Sequence, residues 1–172
     1  ETTISGYTSY HNIFDSKQQP DDKILVSGTL GKNLIKRFNA DGTEDIAFNA
    51  NSKYNAEITT NTFTNSSINL TSDGKIIVGY SRSFSYYDEQ NYQYVTENRI
   101  SLYKLNIDGT LDISFGTNGV LEFIGATEKF TTLVQNDNSF FIICNTKAYK
   151  FNTDGSVATT FGTNGVSTYS QL

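Results

Sequence analysis

Cysteine and histidine are almost absent from this chain, each occurring once in 172 residues. With Cys144 as the single thiol, no internal disulfide is available, and the fold must be held by packing and hydrogen bonds. Cys144 ends the run Phe140-Phe141-Ile142-Ile143-Cys144, an apolar strand in which a buried, inert thiol is expected rather than a nucleophile. The lone imidazole, His11, gives histidine-based triads little to work with and is expected as a surface or packing residue. The elements Ser-x-x-Lys, Gly-x-Ser-x-Gly and His-Glu-x-x-His are missing as well.

Other shortages narrow the class. Helix formers are sparse, and no window carries a sustained helical spacing of apolar residues. No apolar run approaches the roughly 20 residues that cross a bilayer, so no membrane span is expected. There is no secretory apolar segment either, yet the chain begins at Glu1 rather than Met, which reads as a processed piece of a longer product. Basic residues are few and scattered, 13 Lys and Arg against 18 Asp and Glu, for a net charge of −5. Neutralising phosphates needs clustered cations, so nucleic acid is not the expected partner.

What the chain does have is Asn, Thr, Ser, Tyr and Gly, the palette of strands joined by tight turns, with 37% apolar residues to build a core. It also repeats itself. Phe115-Gly116-Thr117-Asn118-Gly119-Val120 returns as Phe161-Gly162-Thr163-Asn164-Gly165-Val166. Each copy ends a longer unit carrying an Asn-x-Asp-Gly turn, at Asn39-Ala40-Asp41-Gly42, Asn106-Ile107-Asp108-Gly109 and Asn152-Thr153-Asp154-Gly155. Repeats of some tens of residues imply a solenoid, propeller or array. The units are bounded at about 8–60, 61–124 and 125–172 of a single β-repeat domain.

Within a unit, an opening turn leads into an apolar strand: Asp22-Lys23-Ile24-Leu25-Val26, Asp73-Gly74-Lys75-Ile76-Ile77-Val78, and Asn138-Ser139-Phe140-Phe141-Ile142-Ile143. Such runs suit a central strand buried on both faces. Segments 34–38, 102–105 and 148–151 follow as the next strand, 119–123 and 165–169 as the last, and 10–14, 68–71 and 131–135 as the first, giving four strands per unit. One connection varies. Asp73 and Asn106 lie thirty-three residues apart, against seventeen and fifteen for the equivalent pairs, so the second unit carries a long hairpin at 82–99. Loops that vary on a constant framework are where binding surfaces are normally placed.

The pattern Asp-Gly-Lys-Ile-Ile-Val-Gly followed by Leu-Asn-x-Asp-Gly-Thr-Leu-Asp-x-Ser-Phe-Gly-Thr-Asn-Gly-Val resembles the delta-60 repeat, a β-propeller-type repeat of bacterial proteins. The second copy matches best, at 73–79 and 106–120; the third has Ala158 in place of Asp112, and the first lacks the Phe-Gly-Thr-Asn-Gly ending. The resemblance implies an all-β, β-propeller-type array of about three four-stranded antiparallel blades, in a secreted or cell-surface protein. It implies no reaction, because propellers carry unrelated functions. Propellers close with about four to eight blades, so three imply a larger or incomplete propeller completed by further blades or subunits.

Two constellations merit weighing. Asn106, Asp108, Thr110 and Asp112, like Asn39, Asp41, Thr43 and Asp45, place oxygens at alternate positions, which suits hard Ca²⁺. The same residues brace turns through their own backbone, and no bidentate Glu follows at the proper distance, so turn chemistry is the preferred reading and no cofactor is expected. The hairpin is rich in tyrosine. Phe84 with Tyr86, and Tyr92 with Tyr94, are expected to share faces by strand alternation, with Tyr87 off register near the tip. Tyr86, Tyr87, Asp88, Glu89, Tyr92 and Tyr94 form the candidate contact set for a partner protein or glycan, since tyrosine pairs a broad apolar ring with a polar tip. The competing reading is cross-strand packing that stiffens the hairpin. Acids such as Asp88, Glu89 and Glu97 would matter in a carbohydrate-active enzyme, which needs two carboxyls facing across a cleft. The expectation is a non-catalytic interaction or scaffold module at the cell surface, with the enzyme fragment and a calcium-stabilised adhesin repeat as alternatives.

Overall fold

Runs such as Ile76-Ile77-Val78 put β-branched side chains on both faces of a strand, and the chain meets that demand by stacking sheets. The computed structural model describes residues 12–30, 33–48, 62–124 and 129–169, and every regular element among them is a β-strand. The first sheet holds β1 (Asn12–Gln18), β2 (Ile24–Leu30) and β3 (Asn33–Phe38). The second holds β4 (Thr62–Leu70), β5 (Ile76–Asp88), β6 (Gln93–Leu105) and β7 (Val120–Ile124). The third holds β8 (Phe130–Val134), β9 (Phe140–Cys144), β10 (Lys147–Phe151) and β11 (Val166–Thr168). In each sheet the strands lie in chain order and pair antiparallel, an up-and-down meander.

The expected four-strand plan holds in the second and third units. Among the described residues the first has three strands, and residues 49–61 lie outside them. The first strand of the third unit, β8, lies within one residue of the expected 131–135, whereas those of the first two units run differently. β1 runs on past Phe14 to Gln18, with Tyr10 and His11 outside the described residues, and β4 begins six residues before Ile68. The reason is polarity: β4 carries Asn65, Ser66 and Ser67, which serve neighbouring sheets through hydrogen bonds and so leave no apolar signal.

Alternation divides the core into two clusters, each between adjacent sheets. Leu25 and Ile35 of the first sheet pack with Ile68, Ile76, Val78, Tyr80 and Leu105 of the second. The opposite face of the second sheet, Ile77, Ile100 and Leu102, packs with Phe130, Phe140, Ile142, Cys144 and Phe151 of the third. Cys144 is thus buried, as its sequence context suggested, and burial pushes its thiol pKa up.

The opening turns are alike in all three units despite their different sequences. Gln19, Thr71 and Gln135 each close the turn through the amide two positions before the next strand, and Asp22, Gly74 and Asn138 supply the left-handed residue. Asn and Asp tolerate that conformation better than other side chains, so Asn136-Asp137-Asn138 does the work of a Gly-containing turn.

The repeated Phe-Gly-Thr-Asn-Gly segment has a specific backbone demand. Gly116, Asn118 and Gly119 all take positive φ (54°, 53° and 91°) in a hook where Thr117 N–H bonds the Val120 carbonyl and Gly119 N–H bonds that of Phe115. The hook lets Phe115 plunge into the core, where it is 1% exposed. A Cβ on Gly116 would stand 2.3 Å from the Val120 carbonyl oxygen. Gly116→Ala is therefore expected to lower stability by about 2–4 kcal/mol in urea titrations, with strain and clash adding together. A change below about 0.5 kcal/mol would show that the hook does not govern the fold.

Candidate functional site

The second unit's long hairpin stands beyond its sheet. β5 pairs with β4 only as far as Ser83, and β6 pairs with β7 only from Arg99, so among the described residues 84–98 forms a two-stranded ribbon. Its base is fastened by ion pairs, Arg82 to Glu122 at 3.2 Å and Arg99 to Glu97. Midway, the Ser85 and Thr96 hydroxyls meet at 2.8 Å.

The ribbon's tip corrects one expectation. Tyr92 has φ of 54° and lies in the turn, outside β6, so it does not share a strand face with Tyr94. Tyr87, off the register of Phe84 and Tyr86 as expected, is the residue directly opposite Tyr94, and their rings meet edge to face at 5.2 Å. Tyr86 stands opposite Val95 on the other face. The physical reason is the turn itself: Asp88 accepts bonds from the Gln90 and Asn91 amides and from Asn91 Nδ2, which ends β5 at Asp88 and leaves 89–92 as the loop. Those bonds, the one from Asn91 Nδ2 first, also draw the Asp88 pKa down. Both candidate readings of the tyrosines have a physical basis in this arrangement. Tyr87 and Tyr94 brace one another, while Tyr86, Tyr87, Tyr92 and Tyr94 remain 45%, 48%, 82% and 79% exposed.

The carboxylates weighed for glycoside chemistry are each employed locally or left in solvent. Asp88 holds the tip turn, Glu97 holds Arg99, and Glu89 is exposed in the loop.

The calcium candidates are separated by their own hydrogen bonds. Asp108 Oδ1 accepts from Thr110 N at 2.9 Å and from Thr110 Oγ1 at 2.6 Å, while Asn106 Nδ2 donates to the same hydroxyl. Asp41 with Thr43 and Asp154 with Ser156 repeat this bracing. The side-chain hydroxyl bond is the leading reason that the carboxyls of Asp41, Asp108 and Asp154 lie below the usual range. Asp112 is committed elsewhere, to Lys75 at 2.7 Å and to Ser114. Among the described residues, no three of His, Cys, Asp and Glu converge on one point.

The Lys75–Asp112 pair is a feature that sequence reading missed. It links the opening turn to the segment before Phe115, and Lys23–Asp45 at 2.8 Å is its counterpart in the first unit. In the third unit both partners change together, to Ser139 and Ala158. The signal was visible as a paired loss, but only pairing in space reveals its meaning: a lysine retained without its acid would leave a charge without its partner.

That coupling is testable. Asp112→Ala alone should destabilise the protein by about 1–3 kcal/mol, and adding Lys75→Ser should recover at least half of it, as measured by urea denaturation. Burial alone would raise the Asp112 pKa, but the bonds from Lys75 and Ser114 outweigh it and bring the carboxyl to about 2. A folded value below the unfolded one stabilises above pH ~4 and loses that contribution as pH falls toward 2, roughly 2 kcal/mol in all. The stability gap between the wild-type chain and Asp112→Asn should accordingly close between pH 5 and pH 2. A gap independent of pH would show that the pair contributes no linkage.

Compared with known proteins, the chain matches one family model, described as a domain of unknown function (DUF5122) beta-propeller, over residues 19–48. That stretch covers the opening turn, β2, β3 and the first Asn-x-Asp-Gly turn, so the match falls on the copy with the degraded ending rather than on the second copy. No curated protein and no solved structure matches the chain. The three meander sheets and this match together make the chain an all-β repeat array of the β-propeller type, with three separate open sheets among the described residues.

Proposed function

We propose that this chain is a non-catalytic interaction module of a secreted or cell-surface bacterial protein, built from repeats of the delta-60 kind. The β5–β6 ribbon is its contact element, with Tyr86, Tyr87, Tyr92, Tyr94 and the loop acids Asp88 and Glu89 meeting a partner protein or glycan. The observation that carries this reading is the ribbon itself. It departs from an otherwise regular repeat, has no neighbouring strand among the described residues beyond Ser83 and Arg99, and offers four tyrosine rings to solvent. Aromatic rings with polar tips are favoured wherever a surface must bury area and keep hydrogen bonds. Edge-to-face contact between Tyr87 and Tyr94 supports the reading too, because a braced ribbon loses less conformational freedom on binding. The acidic, polar surface and the repeat composition suit an extracellular setting.

The experiment is a shortened hairpin lacking 86–94, compared with the intact chain on a glycan array and against candidate surface proteins. Loss of binding by at least about tenfold, with thermal melting preserved, is the expected outcome. Equal binding by the shortened chain would remove the ribbon as the contact site, and the array separates glycan from protein ligands.

A further inference from the structure

The two internal junctions obey one rule, and the outer units carry its unmatched halves. Arg37, Lys104 and Lys150 hold equivalent positions, for the carbonyl of each accepts the amide of Asp45, Asp112 or Ala158. Arg37 reaches across the first junction to the Ile107 carbonyl, and Lys104 reaches across the second to that of Thr153 at 3.0 Å. Each acceptor is the second residue of the next unit's Asn-x-Asp-Gly turn. The inner strands repeat a second contact: Asp15 accepts the Ile68 amide at 2.6 Å, and Ser67 accepts the Thr132 amide at 3.3 Å. A third closes the second junction, from Gly116 N–H to the Asp154 carbonyl at 2.7 Å. Here Gly155 packs so closely that a Cβ on it would lie 3.2 Å from both Gly116 N and the Phe115 ring.

At the far side of the third unit, each donor stands ready without its acceptor among the described residues. Lys150 Nζ lies 5.5 Å over the Phe141 ring and has no carbonyl partner among the described residues. Gly162 N–H, in the place of Gly116, likewise has no such acceptor among them, and Leu133 on this face is 53% exposed. At the near side of the first unit stand the acceptors. Gly42 has no described residue within 4 Å of where a Cβ would be, and Ile24 is 41% exposed where its equivalents Ile76 and Phe140 are fully buried.

We propose that two copies of this chain dock head to tail, the outer face of the third unit of each receiving the outer face of the first unit of the other. Lys150 donates to the Ala40 carbonyl of the second copy and Gly162 N–H to that of Asp41, continuing the interface already present twice within the chain. Two such junctions close a ring of six units, inside the range of about four to eight that closes a propeller. A second copy is the favoured occupant because the chain itself holds both halves of the match. The inference is independent of the ribbon, which belongs to the middle unit.

Sedimentation velocity and light scattering on the full chain test it. The expected species at micromolar concentration is a dimer, weakened at least about tenfold by Lys150→Met. Leu133→Glu and Ile24→Glu change exposed residues at opposite ends, so each should be monomeric with unchanged far-ultraviolet dichroism. Mixing the two should restore dimers through the one junction that remains intact on both sides. A wild-type chain that stays monomeric, a dimer indifferent to both substitutions, a mixture that fails to associate, or open oligomers beyond two copies would each overturn the proposal.

Discussion

A sheet that is apolar on both faces has nothing to offer water, and this constraint organises the whole molecule. Ile76 and Ile77 are adjacent in sequence, point to opposite sides and are both fully buried. Only sheets on either side can achieve that. Burying a side chain of this size contributes about 1.5–3 kcal/mol, and nine buried residues fill the cluster between the second and third sheets alone. Partly exposed ion pairs such as Lys75–Asp112 are worth roughly 1 kcal/mol. Stacking therefore supplies the stability, and the polar contacts decide how the sheets meet.

Those polar contacts are concentrated on β4, which meets β2 of the first sheet and β8 of the third. Ser27 and Ser66 share a hydrogen bond at 2.5 Å, Ser67 and Thr132 one at 2.8 Å, and Asn69 Nδ2 bonds both the Thr132 carbonyl and hydroxyl. A buried hydroxyl left without a partner costs about as much as the bond is worth, so a sliding of one sheet against the next is penalised here. The cations of the third strands act in the same sense at the other side of each unit. Arg37 serves two masters, its own Asp45 and the next unit's carbonyl. In the second unit the tasks are divided between Lys75 and Lys104, as suits single ammonium groups against a forked guanidinium.

How much of this could be read from the letters varied with the physics of each signal. The central strands were plain, since Ile76-Ile77-Val78 and Phe140-Phe141-Ile142 have few other ways to hide. The turns were plain too, because Asn-x-Asp-Gly advertises its own bracing, and the structure reproduces that bracing three times. The start of β4 was missed because Asn65, Ser66 and Ser67 look solvent-bound until a neighbouring sheet is there to receive them. Tyr92 was assigned to a strand face because alternation was counted through a turn, where one left-handed residue resets the register. The junction contacts of Arg37 and Lys104 left no trace in local pattern. They link positions seventy and forty-nine residues apart, and only equivalence between repeats exposes them.

The dependence of every sheet on its immediate neighbour alone has an evolutionary corollary. Because Arg37 and Lys104 grip main-chain oxygens rather than particular side chains, a freshly duplicated unit would find a serviceable grip waiting for it, whatever its own surface letters. Gene duplication could thus extend or shorten such a chain one module at a time without re-engineering its interior. Drift would then be free to decorate a single module, as the insertion carried by the middle one illustrates.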